Sequence, residues 1–333
     1  MKKKFFFFLL FFLLFILLFL IIEILLRISD KDPWGNFTID KEEPTTNIHD
    51  DIIGWIPKEG VYKFKSLDSN KEYFTMTILK DGMRYSGEYS KNFNKVIATL
   101  GDSFTQGVGV DDKENFPFFL QNKLKSNHIK VNNYGVGGYS TYQALLKLED
   151  IFIKKNKIDL VVYSFITSHE VRNIGDEFWL KTLTKFSKRG TVYLPYVIQN
   201  NDGSLIRKKP IAYIKLPLRE KLVIINKFEK RIMKFLLFSR YKNREEISQK
   251  LILNMKQISE KNNSKFLLVN LTKDDHVNKN YIKFLDSNKI NYVDCSIKLD
   301  EKTTVKIDGH PNKKAHKSFS NCIANYIKNK KMI

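Results

Sequence analysis

Cysteine is nearly missing from this sequence. Cys295 and Cys322 are the only two thiols in 333 residues, too few for a disulfide framework to stand in for a hydrophobic core. Both fall in segments of apolar periodicity, where two buried free thiols or, in an oxidising compartment, one bridge fit equally well. Neither lies at zinc-ligand spacing from a histidine, so no metal site is expected, and nothing calls for a cofactor. Acids are also short, 36 against 57 Lys and Arg, leaving a net charge of +21. Such a balance can attract anionic headgroups, acidic glycans or nucleic acid. The lysines are spread along the chain with no nucleic-acid motif among them, which argues against a nucleic-acid partner and for a solvated basic surface. No Gly-Lys-Ser/Thr is present, and "GVGG" at 135–138 lacks the dinucleotide spacing, so a nucleotide loop is excluded. Internal repeats are absent.

Apolar residues, by contrast, run unbroken through "FFFFLLFFLLFILLFLII" at 5–22, after Lys2, Lys3 and Lys4. At ~1.5 Å rise per residue, Phe5 to Leu26 reaches ~30 Å, the thickness of a bilayer's hydrocarbon core. A cleavable signal has an apolar stretch of only ~7–15 residues and a small-residue cleavage site. Nothing here resembles Ala-x-Ala, so residues 1–27 are expected to be an uncleaved single-pass anchor. The three lysines favour a cytoplasmic N-terminus, opposed weakly by Arg27 and Lys31, and the rest of the chain then faces the periplasm or the exterior.

Residues 28 to about 50 carry acids, prolines, Thr and Asn without periodicity and read as a linker. Up to residue 93, runs such as "GVYKF" and "YFTMTIL" predict a small β-rich lead-in of two or three strands. From residue 94 to 333 a strand-then-helix rhythm takes over. "KVIATL", "IKVNNYG" and the continuous "IDLVVYSFI" are strands, and "DDKENFPFFLQNKLKS" and "TYQALLKLEDIFIKK" are helices. An insert at about 176–245 interrupts it with a hairpin signal, Asn-Asp-Gly at 201–203, and with an amphipathic basic helix, "REKLVIINKFEKRIMKFLLFSRY", of a kind that more often packs on its domain than lies on a membrane surface. The rhythm resumes with "EEISQKLILNMKQISEK", "KFLLVNL", a helix near 276–287, "NYVDCSI" and a last helix from about Lys313 to Lys328. The pattern predicts an α/β fold, a three-layer αβα sandwich with a central parallel sheet, preceded by one transmembrane helix.

Within that frame "IATLGDSFTQGVGV" puts Ser103 just past a buried strand, at the sheet edge where open α/β folds place their ligands. A serine nucleophile needs a base, and the base an orienting group. Of the six histidines, His310 stands out in "VKIDGHPNKKAH". Asp308 precedes it by two residues, Gly309 permits the turn between them, Pro311 biases His310 to an extended backbone, and Asn312 can cap the final helix. His316, within that helix, reads as a surface residue.

These blocks, in this order, resemble those of the SGNH hydrolases, also called GDSL esterases and lipases. "GDSFTQG" looks like the family's first block, "NNYGVGGYST" its second and "DGHPNKKAH" its last, while "GWIPKEG" and "TILKDGMRYS" look like the lead-in of membrane-anchored members. The resemblance implies an SGNH or flavodoxin-like sheet, a Ser103, Asp308 and His310 triad, and an oxyanion hole from Ser103, Gly138 and a third-block residue. That third block departs from the family's Gly-x-Asn-Asp. "DLVVYSFITSHEVRN" puts Ser168 where the asparagine would stand and His169 where the aspartate would, with Asp102, His169, Arg172 and Asn173 as further pocket candidates. The implied activity is hydrolysis of ester-linked acyl groups on envelope glycan or lipid. An O-acyltransferase, or a glycan- or assembly-binding envelope protein with a degenerate site, is the alternative.

Overall fold

The computed structural model describes residues 2–29, 46–66, 72–125, 128–186, 191–273, 280–306 and 309–333. Helix α1 (Lys2–Ile28) contains neither Gly nor Pro, and one stretch of it, Lys3–Ile28, is long and apolar enough to cross a membrane. Most of its Phe, Leu and Ile side chains are exposed, whereas Glu23 near its end is buried.

The lead-in holds two antiparallel pairs: β1 (Asn47–Asp50) with β2 (Gly54–Pro57), and β3 (Gly60–Lys65) with β4 (Tyr73–Ile78). The first begins inside the stretch expected to be linker. Its turn forms because Asp50 Oδ1 accepts from the N–H groups of Ile52 and Ile53 at 2.9 and 2.8 Å.

The main domain follows as β5 (Lys95–Leu100), α2 (Ser103–Gln106), α3 (Phe116–Leu124), β6 (Ile129–Asn133), α4 (Thr141–Ile153), β7 (Leu160–Phe165) and α5 (Ser168–Asn173). The insert supplies α6 (Glu177–Phe186), the hairpin β8 (Leu194–Gln199) and β9 (Leu205–Ile211), and α7 (Val223–Tyr241). Then come α8 (Arg244–Lys261), β10 (Lys265–Thr272), α9 (Ile282–Ser287), β11 (Asn291–Ile297) and α10 (Lys313–Asn329). The helix expected near 276–287 is described only from Ile282, its first part lying outside the described residues.

Five strands make one parallel sheet in the order β11-β10-β7-β5-β6. Both faces are covered, so alternate residues of each strand serve different cores. Val96, Ala98, Leu100, Val161 and Tyr163 meet Leu145 and Leu148 of α4 and Leu251 and Met255 of α8. Ile97, Leu160, Val162, Leu267 and Val269 meet Phe116 and Leu120 of α3 and Phe319 and Ile323 of α10. The connections therefore wind outward in opposite directions from β5 and β7: one is followed by a helix on one face, while the other is reached from a helix on the opposite face. In open α/β sheets the crevice at the carboxyl ends of such a strand pair is where ligands bind.

Cys295 of β11 and Cys322 of α10 are joined by a disulfide, their Cα atoms 5.7 Å apart, which resolves the choice left open by the sequence and ties the last helix to the sheet edge.

His316 is not on the surface as expected. Because α10 packs both on the sheet and against α3 beside it, its buried stripe is wide enough to take in this residue, which is fully buried. Its Nδ1 accepts from the Phe116 N–H at 3.3 Å, one of the unpaired donors at the start of α3, and its ring stacks on Phe116. Burial pushes its pKa down to about 3, helped by the charges of Arg84 and His310. The folded imidazole stays neutral while the unfolded one takes a proton below about pH 6.5. Stability should therefore fall as pH drops from about 6.5 towards 3, by about 1.4 kcal/mol per pH unit from this group. Urea unfolding of His316→Gln, which keeps an acceptor for Phe116, should show that much less slope between pH 6 and 4. An unchanged slope would mean that His316 does not titrate this way.

Candidate active site

Gly101 follows β5 at a φ of +152°, and a Cβ there would lie 2.2 Å from Thr105 Oγ1, so only glycine lets the chain turn this tightly from strand into α2. Asp102 is the N-cap of α2: its Oδ1 accepts from the Phe104 N–H at 3.0 Å. Ser103 is thereby set as the first residue of the helix, at the carboxyl end of a central strand, with 8% of its surface exposed.

The loop carrying Gly138 is stitched to this turn. The Val136 N–H donates to Gly101 O at 3.1 Å and the Gly137 N–H to Gln106 Oε1 at 2.8 Å. Trp55 of the lead-in donates its indole N–H to Gly137 O at 3.2 Å and accepts from the Tyr139 hydroxyl through its carbonyl at 2.6 Å. Gly138 itself has φ +82°, and an added Cβ would stand 3.2 Å from Trp179 and 3.3 Å from Trp55. The backbone there is pinned by two indoles, one from the lead-in and one from α6.

From β7 the third-block residues separate by direction. Ser168, first residue of α5, is exposed at the sheet edge. His169, named as a pocket candidate, is fully buried, with Nδ1 2.8 Å from the Tyr163 hydroxyl and Nε2 3.4 Å from Asp102 Oδ2. Arg172 Nη1 donates to Asp102 Oδ2 at 2.8 Å and to Tyr139 O at 3.0 Å, and its guanidinium lies 4.3 Å from the Trp179 ring centre. Asn173 is also fully buried and does not line the crevice: its amide accepts from Tyr142 N at 2.9 Å and donates to Ser248 Oγ at 2.8 Å, bracing α5 against α4 and α8.

Asp102 thus links the serine turn to α5. Burial pushes its carboxyl up, but the contact with His169, the charge of Arg172 and the Phe104 N–H outweigh burial and hold it well below the usual carboxylate range. Burial lowers the His169 pKa, Asp102 opposing and Arg172 adding to the effect. The resulting group is a carboxylate fixed by a guanidinium, with a neutral imidazole beside it. Sequence reasoning named these residues as pocket candidates but did not show the contacts that join them beneath the serine turn.

His310 lies just before Pro311, which bridges to Thr304, and its carbonyl accepts from the Val305 N–H at 2.8 Å. Its ring stands edge-on to Phe104, the neighbour of Ser103, with centroids 6.0 Å apart. As expected, Asn312 caps α10, its Oδ1 accepting from Lys314 N at 3.0 Å and Ala315 N at 3.3 Å. Asp308 falls outside the described residues. Among the described residues, no group of three or more His, Cys, Asp or Glu is placed to hold a metal ion.

One residue central to this geometry was seen in the sequence only as part of the lead-in. Arg84 is fully buried and feeds the loop after Ser103: Nη1 donates to the carbonyls of Gln106, at 2.8 Å, and Gly107. Nη2 donates to Val110 O at 2.6 Å and Thr75 O at 3.3 Å, and Nε stands 3.4 Å from Asp112. An arginine in the apolar-flanked "DGMRYS" was the available signal.

No family model and no curated protein sequence matches the chain. Among solved structures it is similar to the psychrotrophic esterase EstA from Pseudoalteromonas sp., in a structure inhibited by monoethylphosphonate, at 13% identity and a TM-score of 0.41, covering 71% of this chain and 98% of that one. A variant of Axe2, an acetyl xylan esterase from Geobacillus stearothermophilus, is similar at 13% identity and 0.39, over 71% and 95%. AlinE4, an SGNH-hydrolase family esterase, is similar at 14% identity and 0.34, over 62% and 76%.

Proposed function

We propose that the chain is a serine ester hydrolase of the SGNH type, held at a membrane by α1 with its catalytic domain on the periplasmic or extracellular side. One observation carries the reading. The three sequence blocks, far apart in the chain, meet at the switch point between β5 and β7: Ser103 heads α2, the Gly138 loop is hydrogen-bonded to the same turn, and the His310 ring packs against Phe104. In this reading His310, oriented by Asp308, takes the Ser103 proton as Oγ attacks an ester carbonyl. The backbone N–H groups of Ser103 and Gly138, with the Ser168 hydroxyl, receive the oxyanion, and water releases the acyl group.

The substrate class follows from the anchor: an acylated glycan or lipid within reach of the membrane. The Cys295 to Cys322 disulfide supports an oxidising, external compartment. Release of the acyl group to a sugar hydroxyl would make the same site an O-acyltransferase. The feature that favours a non-catalytic binding role is the third block, where an exposed Ser168 replaces an amide donor.

Fluorophosphonates test the reading because they bond only to a nucleophile activated in this way. Full-length protein in nanodiscs is expected to carry one adduct, mapped by mass spectrometry to Ser103 and missing in Ser103→Ala. A folded protein that takes no label would overturn the proposal.

A further inference from the structure

The mechanism leaves α7 unused. Its inner face is ordinary, with Glu229, Met233 and Leu237 buried at i, i+4 and i+8. Its outer face is not. Phe228, Phe235 and Phe238 are 58%, 83% and 72% exposed, and at 100° per residue they fall within an arc of about 80°. Lys227, Arg231 and Lys234 are interleaved with them and exposed. The one acid in the helix, Glu229, points inward, accepting from Leu216 N at 2.7 Å and pairing with Arg219. A helix whose outward side combines bare phenylalanines with cations alone has the composition of one lying in a headgroup layer.

The position of α7 on the molecule agrees. Glu23, 5% exposed near the end of α1, accepts from Val223 N at 3.0 Å and from Ile224 N at 2.9 Å, capping two of the unpaired donors at the start of α7. Arg27, one turn on, donates to Glu23 at 2.8 Å and to Lys221 O at 2.5 Å. The first turn of α7 is thus fixed to the last turns of the helix long enough to span a bilayer, about 7.5 Å before its end at ~1.5 Å per residue. On its other side α7 touches α6 through Lys181 and Asn226, 3.4 Å apart, and α6 carries the Trp179 that abuts Gly138.

We infer that the outer face of α7 is a membrane-contact surface: Phe228, Phe235 and Phe238 enter the headgroup layer of an anionic bilayer beside α1, and Lys227, Arg231 and Lys234 pair with lipid phosphates. The inference rests on α1 being the anchor and is independent of the chemistry assigned to Ser103. The domain is then held at two points, a spanning helix and a surface helix, which fixes the height and tilt of the site above the lipid.

Spin labels on the full chain in nanodiscs test it, since both native cysteines are bonded to each other. Nitroxides at Phe235→Cys and Phe238→Cys are compared with Leu13→Cys as the lipid reference and Asn201→Cys, exposed on the β8 to β9 turn, as the water reference. In discs rich in phosphatidylglycerol, the oxygen-to-nickel accessibility ratio at 235 and 238 is expected to exceed that at 201 several-fold. It should fall in pure phosphatidylcholine or when Lys227 and Lys234 are replaced by Glu. Water-like ratios at 235 and 238 with a lipid-like Leu13 would overturn the proposal while leaving the anchor. A water-like Leu13 would remove its basis. Dipolar broadening between labels would assign the face to a second copy of the chain, and a ratio indifferent to lipid charge would overturn the role of the cations.

Discussion

Ser103→Ala is expected to lower kcat/KM on a short-chain acyl ester by about 10⁴-fold or more, with the thermal unfolding midpoint unchanged. The substitution removes one oxygen and no structure. The helix cap comes from Asp102, and the Ser103 carbonyl that accepts from Gly107 and Val108 is kept. His310→Ala should cost a similar factor, because a hydroxyl without its base is a poor nucleophile at neutral pH. The informative quantity is the double variant. Groups that act as one unit are non-additive, so Ser103→Ala with His310→Ala should be no slower than either single change, leaving whatever rate the oxyanion donors supply alone. Losses that multiply would place the two residues in separate roles. A Ser103→Ala enzyme within tenfold of the parent would end the serine mechanism altogether.

The sheet was legible because its physics is repetitive. "KVIATL" and "IDLVVYSFI" carry apolar residues at successive positions with no polar alternation, the pattern of a strand covered on both faces, and they became β5 and β7. Helix α4 was equally plain from the spacing of Leu145, Leu148 and Ile151. The start of α3 was not. The acid run at Asp111 and Asp112 reads as a helix N-terminus, yet the helix begins at Phe116 under an Asn115 cap. The two aspartates instead accept from Thr75 N at 2.8 Å and Thr77 N at 2.9 Å, satisfying the outer edge of β4. No local pattern shows that an acid in one element is serving the backbone of another.

The same limit divides the site. Ser103 and His310 stood out as candidates because turn chemistry leaves a local mark, a glycine shortly before each of them, whereas Gly138 entered only through the resemblance. His169, Arg172 and Asn173 were found only as a neighbourhood. Their roles depend on side-chain direction around one short helix, with His169 and Asn173 turned inward and Ser168 left outside. Trp55 and Trp179, which meet over Gly138, are 124 residues apart in number and have no shared motif.

Arg84→Met should cost about 3–5 kcal/mol of stability, the usual penalty for breaking a buried charged network from one side. The guanidinium donates to carbonyls of Thr75, Gln106, Gly107 and Val110 and stands against Asp112, so its loss strands acceptors both in β4 and in the stretch 106–112, at a position closed to water. For a chain of this size that loss corresponds to a fall of roughly 10 °C in the unfolding midpoint, read by differential scanning calorimetry. Arg84→Lys keeps the charge but not the planar fork that reaches several carbonyls at once, and should fall between parent and Met variant. Activity should fall in the same order at temperatures where all three are folded. The carbonyl that Arg84 holds at Gln106 belongs to the residue whose side chain fixes Gly137 N–H, one residue before Gly138, the proposed oxyanion donor. Loosening it should therefore displace the proposed donor at Gly138 by a path that leaves Ser103 and His310 untouched, and the loss should appear in kcat more than in KM. Full activity in a folded Arg84→Met protein would show that the second-block loop holds its place without the lead-in.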